Sequence, residues 1–289
     1  MGDFADAMRR SAAEAPPENA TSRAAPNAYE RKRTEPAAES EAIAKIEIPR
    51  HKHGFWTARA VLVKGSAVAD RFRHFALRVK RDLEERGAKS VVVTSALRGE
   101  GKTVTACNLA LALASIAAGK RIALLDLDLR SPSIARAMAT VPIAGVEEVF
   151  GGKRSLGSVR IRTDVPSLDV FPVGEPVAEA HELLARPEVG KVLRELENRY
   201  DLVVCDAPPV LPVPDVPLIL SHVGACLLVA GAGSTQQSAF REMLELLPRE
   251  QLLGTFLNCT RSSRQSQYYQ HSTEDPAATR QESDARSEA

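Results

Sequence analysis

The chain has 289 residues, a formal net charge of +1, and 44% hydrophobic but only 4% aromatic residues. This length suits one large domain with tails or two small ones. The near-neutral charge excludes a global field for nucleic acid, and no run approaches the roughly 18 consecutive apolar residues of a membrane-spanning helix.

Residues 1–60 are rich in Ala, Pro, Glu and Arg with little periodicity, which predicts a disordered N-terminal segment. It has no apolar stretch like that of a signal peptide, so a soluble, cytoplasmic protein is expected. Within it, "RHKHGFWTA" holds the one tryptophan. Phe55 and Trp56 either pin this segment to the domain or dock it on a partner or an acidic membrane surface. From Ser66, "AVADRFRHFALRVKRDLEERG" has apolar residues near helical spacing and ends in glycine, predicting a helix. "KSVVVTS" predicts a buried strand, and "GKTVTACNLALALASIAAGK" a helix opening on a glycine-rich loop. Then come "RIALLDLD" (strand), "SPSIARAM" (short helix), the "GVEEVFGG" segment, "SLDVFPVG" (strand), "PEVGKVLRELENRY" (helix) and "DLVVCDAPP" (strand). "GACLLVAGAG" (strand), "TQQSAFREMLELLPRE" (helix) and "LLGTFLN" (strand) complete the pattern. Six strands alternating with helices imply an α/β fold, a mostly parallel sheet with helices on both faces. Ala, Val and Leu must fill its core. Residues 261–289 turn polar and predict a flexible tail. The four cysteines, Cys107, Cys205, Cys226 and Cys259, lack metal or redox spacing and read as small buried hydrophobes.

Three strand ends carry the chemistry. "ALRGEGKT" (residues 96–103) between strand and helix reads as a phosphate loop whose first glycine is alanine. Its backbone N–H groups and the helix N-terminus cradle phosphate. Gly99 and Gly101 allow close approach, Lys102 reaches the β- and γ-phosphates, and the Thr103 hydroxyl suits Mg²⁺. Ala96 costs little if its φ is negative. In "ALLDLDLRSP", Asp126 and Asp128 are two apart at a strand end, a spacing that turns both carboxylates to one face. Arg130 either neutralises them or touches phosphate. Asp206 ends the strand "DLVVCD". A lone acid at a strand end ordinarily serves as a cap or turn residue. Three beside one phosphate loop argue for a shared ligand at the carboxyl ends of the strands.

"SALRGEGKT", "LLDLDLRSP" and "YDLVVCDAPPVLPVPD" together resemble the nucleotide motifs of the bacterial tyrosine kinases (BY-kinases) of capsule and exopolysaccharide synthesis. These have the phosphate-loop (P-loop) fold of the ParA/MinD-like ATPases. The resemblance runs from about Ser66 to Asn258, within a domain of residues 61–260. Arg98 and Gly99 stand where partitioning ATPases carry a second lysine. The resemblance implies ATP and Mg²⁺, with Arg98, Gly99, Glu100, Gly101, Lys102, Thr103 and Val104 around the nucleotide and Asn258 as a candidate adenine contact. It implies that Lys102 clamps phosphate and that Thr103 and Asp128 hold the metal. Asp206 would bind the metal through water, and Asp126 would act as base or tyrosine-orienting carboxylate. The phosphoryl acceptors implied are tail tyrosines, here Tyr268 and Tyr269, reached in trans. It also implies a membrane-spanning chain-length adaptor as a separate chain, which would recruit the protein to the inner face of the plasma membrane. The family's Glu-x-x-Arg-x-x-Arg assembly pattern is represented by Asp70, Arg73 and Ala76, which leaves a homo-oligomeric ring an open alternative. Two other readings use the same loop: an ATPase switch of the ParA/MinD type, and a nucleotide-binding module without turnover.

Overall fold

The computed structural model describes residues 67–260 together with the backbone of residues 45–46. The remainder of the segments 1–60 and 261–289, with Phe55, Trp56, Tyr268 and Tyr269, lies outside the described residues. The chain runs β1 (Lys45–Ile46), α1 (Ala67–Glu85), β2 (Ser90–Ser95), α2 (Lys102–Ile116), β3 (Ile122–Asp126), α3 (Ile134–Ala137) and α4 (Val146–Phe150). It continues through β4 (Ile161–Thr163), β5 (Leu168–Phe171), α5 (Ala180–Leu184), α6 (Pro187–Arg199), β6 (Leu202–Asp206), α7 (Asp215–Leu220), β7 (Ala225–Gly231), α8 (Gln237–Leu246) and β8 (Leu252–Asn258).

The strands form one sheet in the order β1-β4-β5-β3-β6-β2-β7-β8. All neighbours are parallel except β4 and β5. Every residue of β2, β3, β6 and β7 is buried, as expected for strands covered on both faces. Alternate residues feed two cores. Val92, Leu125, Val203 and Leu228 face the layer of α4–α8, whereas Val91, Val93, Leu124, Val204 and Leu227 face α1 and α2. This is the period-two consequence of the pleat.

Helix α2 is nearly all buried, because it lies between the sheet and α1 and needs an apolar surface all round. Helix α1 is one-sided. Ala69, Phe72, Ala76, Val79 and Leu83 form its buried stripe, and Phe72 and Phe75 stack on Phe256 of β8 at ring separations of 5.3 and 4.6 Å. Asp70 and Arg73 are ion-paired on the flank of α1. Ala76 is wholly buried, so an arginine there would have to place its charge inside the core.

The six expected strands all form. Two further short strands appear. β4 has three residues and turns antiparallel onto β5; a run of that length carries too little alternation to be recognised. β1 lies inside the N-terminal segment of residues 1–60 and pairs with β4 over two residues. Cys107, Cys205 and Cys226 are buried, but Cys259 is exposed, because it follows the end of β8. No helix among the described residues is long and apolar enough to cross a membrane.

Candidate nucleotide site

The parallel order brings the carboxyl ends of β2, β3 and β6 together, and each delivers one part of the site. After β2, residues 96–101 turn into α2. Gly99 (φ +86°) and Gly101 (φ +91°) are in the left-handed region, and Ala96 is not, so alanine at the first position of the loop is conformationally inexpensive. A Cβ on Gly101 would lie 2.0 Å from Asn258 Nδ2. Gly101→Ala is therefore strained twice, by its φ and by this overlap. It is expected to lose most nucleotide affinity, as titration of the purified variant with a fluorescent ATP analogue would show.

The loop is braced from both sides. The Leu97 N–H donates to Glu100 Oε2 at 2.9 Å, and the Thr235 hydroxyl donates to Glu100 Oε1. Asn258 Nδ2 donates to the Glu100 carbonyl at 3.1 Å. Glu100 thus holds the loop's shape with a buried carboxylate, while Arg98 beside it is exposed. Val104, half-buried, follows in the first turn of α2.

Lys102 is the first residue of α2 and is buried with the carboxylates. Its Nζ lies 2.7 Å from Asp128 Oδ2 and 3.7 Å from Asp206 Oδ1. Burial pulls its pKa down, but Asp206, Asp128 and Asp126 outweigh this, so the ammonium titrates above its ordinary range. The Thr103 hydroxyl donates to Asp206 Oδ2 at 2.6 Å and meets the Ser133 hydroxyl at 2.8 Å. Asp206 pairs with Asp126 across the β3–β6 ladder. Burial, with Asp128 adding to it, pushes Asp206 up to about 6 against the opposing effect of Lys102. Burial, with the Asp206 charge adding to it, also raises Asp126 well above the ordinary carboxylate range.

Asp126 and Asp128 share a face as their spacing predicts: Leu125, Leu127 and Leu129 all enter the core on the α4–α8 side, so the alternation continues past the end of β3 and turns both carboxylates the other way. Asp126 accepts the N–H groups of Asp128, Ser133 and Ile134 at 3.1, 3.3 and 3.2 Å. It therefore also fills the cap role that a strand-end acid ordinarily has. Arg130 neither neutralises this pair nor reaches the loop. Its guanidinium is drawn to Asp215 at the start of α7, with Nε and Nη2 at 2.8 and 3.3 Å, where His181 Nδ1 also lies 3.2 Å from Asp215.

Sequence reasoning missed Ser133, Thr235 and Asp215. Ser133 and Asp215 lie within or next to motifs that were recognised, so their polar character next to apolar runs was the available signal. Thr235 had none, since its contact with Glu100 spans 135 residues.

The arrangement fits a phosphate-bound divalent cation. Asp206 Oδ1 is buried without a hydrogen-bond partner, and Thr103 Oγ1, bonded to the other oxygen of Asp206, and Asp128, bonded to Lys102, are close by. No group of three or more His, Cys, Asp or Glu side chains among the described residues is spaced to hold a metal. Mg²⁺ does not need one, because it is commonly held by one or two protein oxygens plus water and substrate phosphates.

Fold and site together define a phosphate-loop nucleotide-binding α/β protein. A family model described as an AAA domain matches residues 88–221. The tyrosine-protein kinase YwqD of Bacillus subtilis is 32% identical over 193 residues, covering 66% of this chain and 81% of that protein. The succinoglycan biosynthesis transport protein ExoP of Rhizobium meliloti is 31% identical over 209 residues, 70% of this chain but only 26% of ExoP. Among solved structures, the kinase domain of the Escherichia coli tyrosine kinase ETK superposes with a TM-score of 0.65 at 25% identity, covering 74% of this chain and 85% of that one. The chimerical protein CapA2B2 superposes with a TM-score of 0.62 at 25% identity, covering 68% and 87%. The chain belongs to the bacterial tyrosine-protein kinases, within the ParA/MinD-like phosphate-loop family.

Proposed function

We propose that this protein is an ATP-dependent protein-tyrosine autokinase that regulates exopolysaccharide or capsule polymerisation or export. One observation carries the reading: Lys102, Thr103, Asp128 and Asp206 converge at the strand ends, with one Asp206 oxygen buried and without a hydrogen-bond partner. ATP is the phosphoryl donor. Lys102 exchanges Asp128 for the β- and γ-phosphates, and the loop N–H groups, set by Gly99 and Gly101, hold the remaining oxygens. Arg98, Glu100 and Val104 frame the nucleotide, and Asn258, fixed beside Gly101, contacts the base. Thr103 and Asp128 would hold Mg²⁺ directly and Asp206 would hold it through water; the metal supplies charge neutralisation on the phosphates. Asp126, whose pKa burial raises, takes the proton of the incoming tyrosine hydroxyl as that oxygen bonds to the γ-phosphorus and ADP leaves.

The acceptors are Tyr268 and Tyr269 in the tail 261–289 of another copy, presented to a domain of residues 61–260. A separate membrane-spanning chain-length adaptor brings the protein to the inner face of the plasma membrane. Transfer in trans is tested by mixing a Lys102→Met chain, inactive but with its tyrosines intact, with an active chain carrying Tyr268→Phe and Tyr269→Phe. Label from γ-³²P-ATP is expected on the K102M chain alone. Phosphate release with no label on either chain would instead select a switch ATPase.

A further inference from the structure

At the end of the sheet opposite the phosphate loop, a cavity of about 410 Å³ is lined chiefly by Arg121, Arg160, Arg162, Arg199, Asp169 and Tyr200. The fold places four guanidinium groups there from four local settings. Arg121 immediately precedes β3, Arg160 precedes β4, Arg162 is the outward residue of β4 and Arg199 ends α6. Asp169 is the one carboxylate in the wall, and its Oδ2 accepts the Tyr200 hydroxyl at 2.7 Å. Asp201, next in sequence to Tyr200, is occupied by the Lys120 ammonium at 3.0 Å and the Arg121 N–H at 2.8 Å. Arg199 has an ion-pair partner, Glu195, at 2.7 Å. The Arg121 guanidinium stands 5.7 Å from the centroid of the Tyr200 ring, and Arg160 lies near the Tyr200 hydroxyl. Arg121 and Arg162 are exposed and have no ion pair among the described residues.

Arg121 and Arg162 bring two charges without an ion pair among the described residues to one cavity, where they repel one another, and Asp169, already occupied by Tyr200, compensates them little. Each guanidinium carries five donors in a fixed fork that matches a phosphoryl group. A concave wall of one sign also concentrates the opposite charge. The Tyr200 ring adds a flat apolar wall, and the volume lies within the range of small-molecule sites.

We propose that this cavity is an anion site for a phosphate monoester, held chiefly by Arg121 and Arg162, with Arg160 and Arg199 also in its wall. The site is separate from the nucleotide loop and does not depend on the kinase reading. Isothermal titration of the full chain tests it, with the phosphate loop filled by ADP and Mg²⁺. The same titration on K102M controls for phosphate binding at that loop. The probes are O-phospho-L-tyrosine and glucose 1-phosphate, with glucuronate as the carboxylate control. Expected is one site for at least one ester, weakened about tenfold or more in Arg121→Ala/Arg162→Ala, since a lost charge-assisted contact is worth at least about that factor. The tighter ester shows whether a phosphorylated peptide or a phosphorylated sugar is the source. Should the double variant fail to fold, Arg162→Glu at its exposed position is read instead. No binding of either ester, undiminished binding in the variant, or glucuronate binding as tightly as the esters would overturn the proposal.

Discussion

Lys102→Met is expected to lower phosphoryl transfer by at least about a hundredfold, the scale of losing one charge-stabilising donor at a reacting oxyanion, and to destabilise the ligand-free protein as well. The second effect follows from burial. Among the described residues Lys102 is the one cation ion-paired with both Asp128 and Asp206, and removing one member of a buried ion pair costs about 3–5 kcal/mol. The loss depends on pH, because without the ammonium the stranded carboxylates can take up protons. Urea unfolding of both chains at pH 8 and pH 5 should show the larger gap at pH 8. A gap that is the same at both values would mean that Lys102 acts through packing alone.

Asp206→Asn is expected to act oppositely on stability. The folded pKa of Asp206 is raised to about 6 from an ordinary 3.8, so the folded state holds this proton more tightly than the unfolded chain does. Stability from this group is then fullest below about pH 4 and declines as pH rises through 6. At pH 8 the ionised carboxylate costs the ligand-free protein on the order of 1–3 kcal/mol, chiefly because it is buried, with Asp128 adding repulsion. The asparagine variant should therefore melt higher than the parent at pH 8, and the difference should shrink toward pH 4. It should also lose the stabilisation that Mg²⁺ and ATP confer on the parent. Scanning calorimetry with and without ligand measures both. A lower melting temperature for the variant at pH 8 would contradict this account of the site as one that sacrifices stability to bind charge.

Most of the sheet was legible because each long strand is a continuous β-branched or aliphatic run between turn residues. "SVVVTS" and "LVVCD" have no other comfortable place in a soluble fold. The short β4 was not, since three residues cannot show a period, and β1 was not, because its pairing depends on β4. In the site, the loop and the three strand-end acids were readable from spacing and flanking strands. What escaped reading was the partner choice of each side chain. Arg130 follows Asp128 by two residues, yet its guanidinium belongs to Asp215, 85 residues away. Whether a carboxylate faces a lysine, a hydroxyl or a backbone N–H depends on which elements the fold brings to that strand end, which local periodicity does not report. Ala96 is the converse case. It looked like a defect in the motif, and a φ outside the left-handed region makes it an ordinary residue.

The central claim is that this site transfers phosphate to the chain's own tail. The most direct measurement is phosphopeptide mapping by mass spectrometry after incubating the full chain with ATP and Mg²⁺, alongside K102M. The account predicts phosphotyrosine at Tyr268 and Tyr269 in the parent chain and none in K102M. Unmodified tyrosines in the parent, with or without the cytoplasmic segment of a membrane-spanning adaptor, would contradict it.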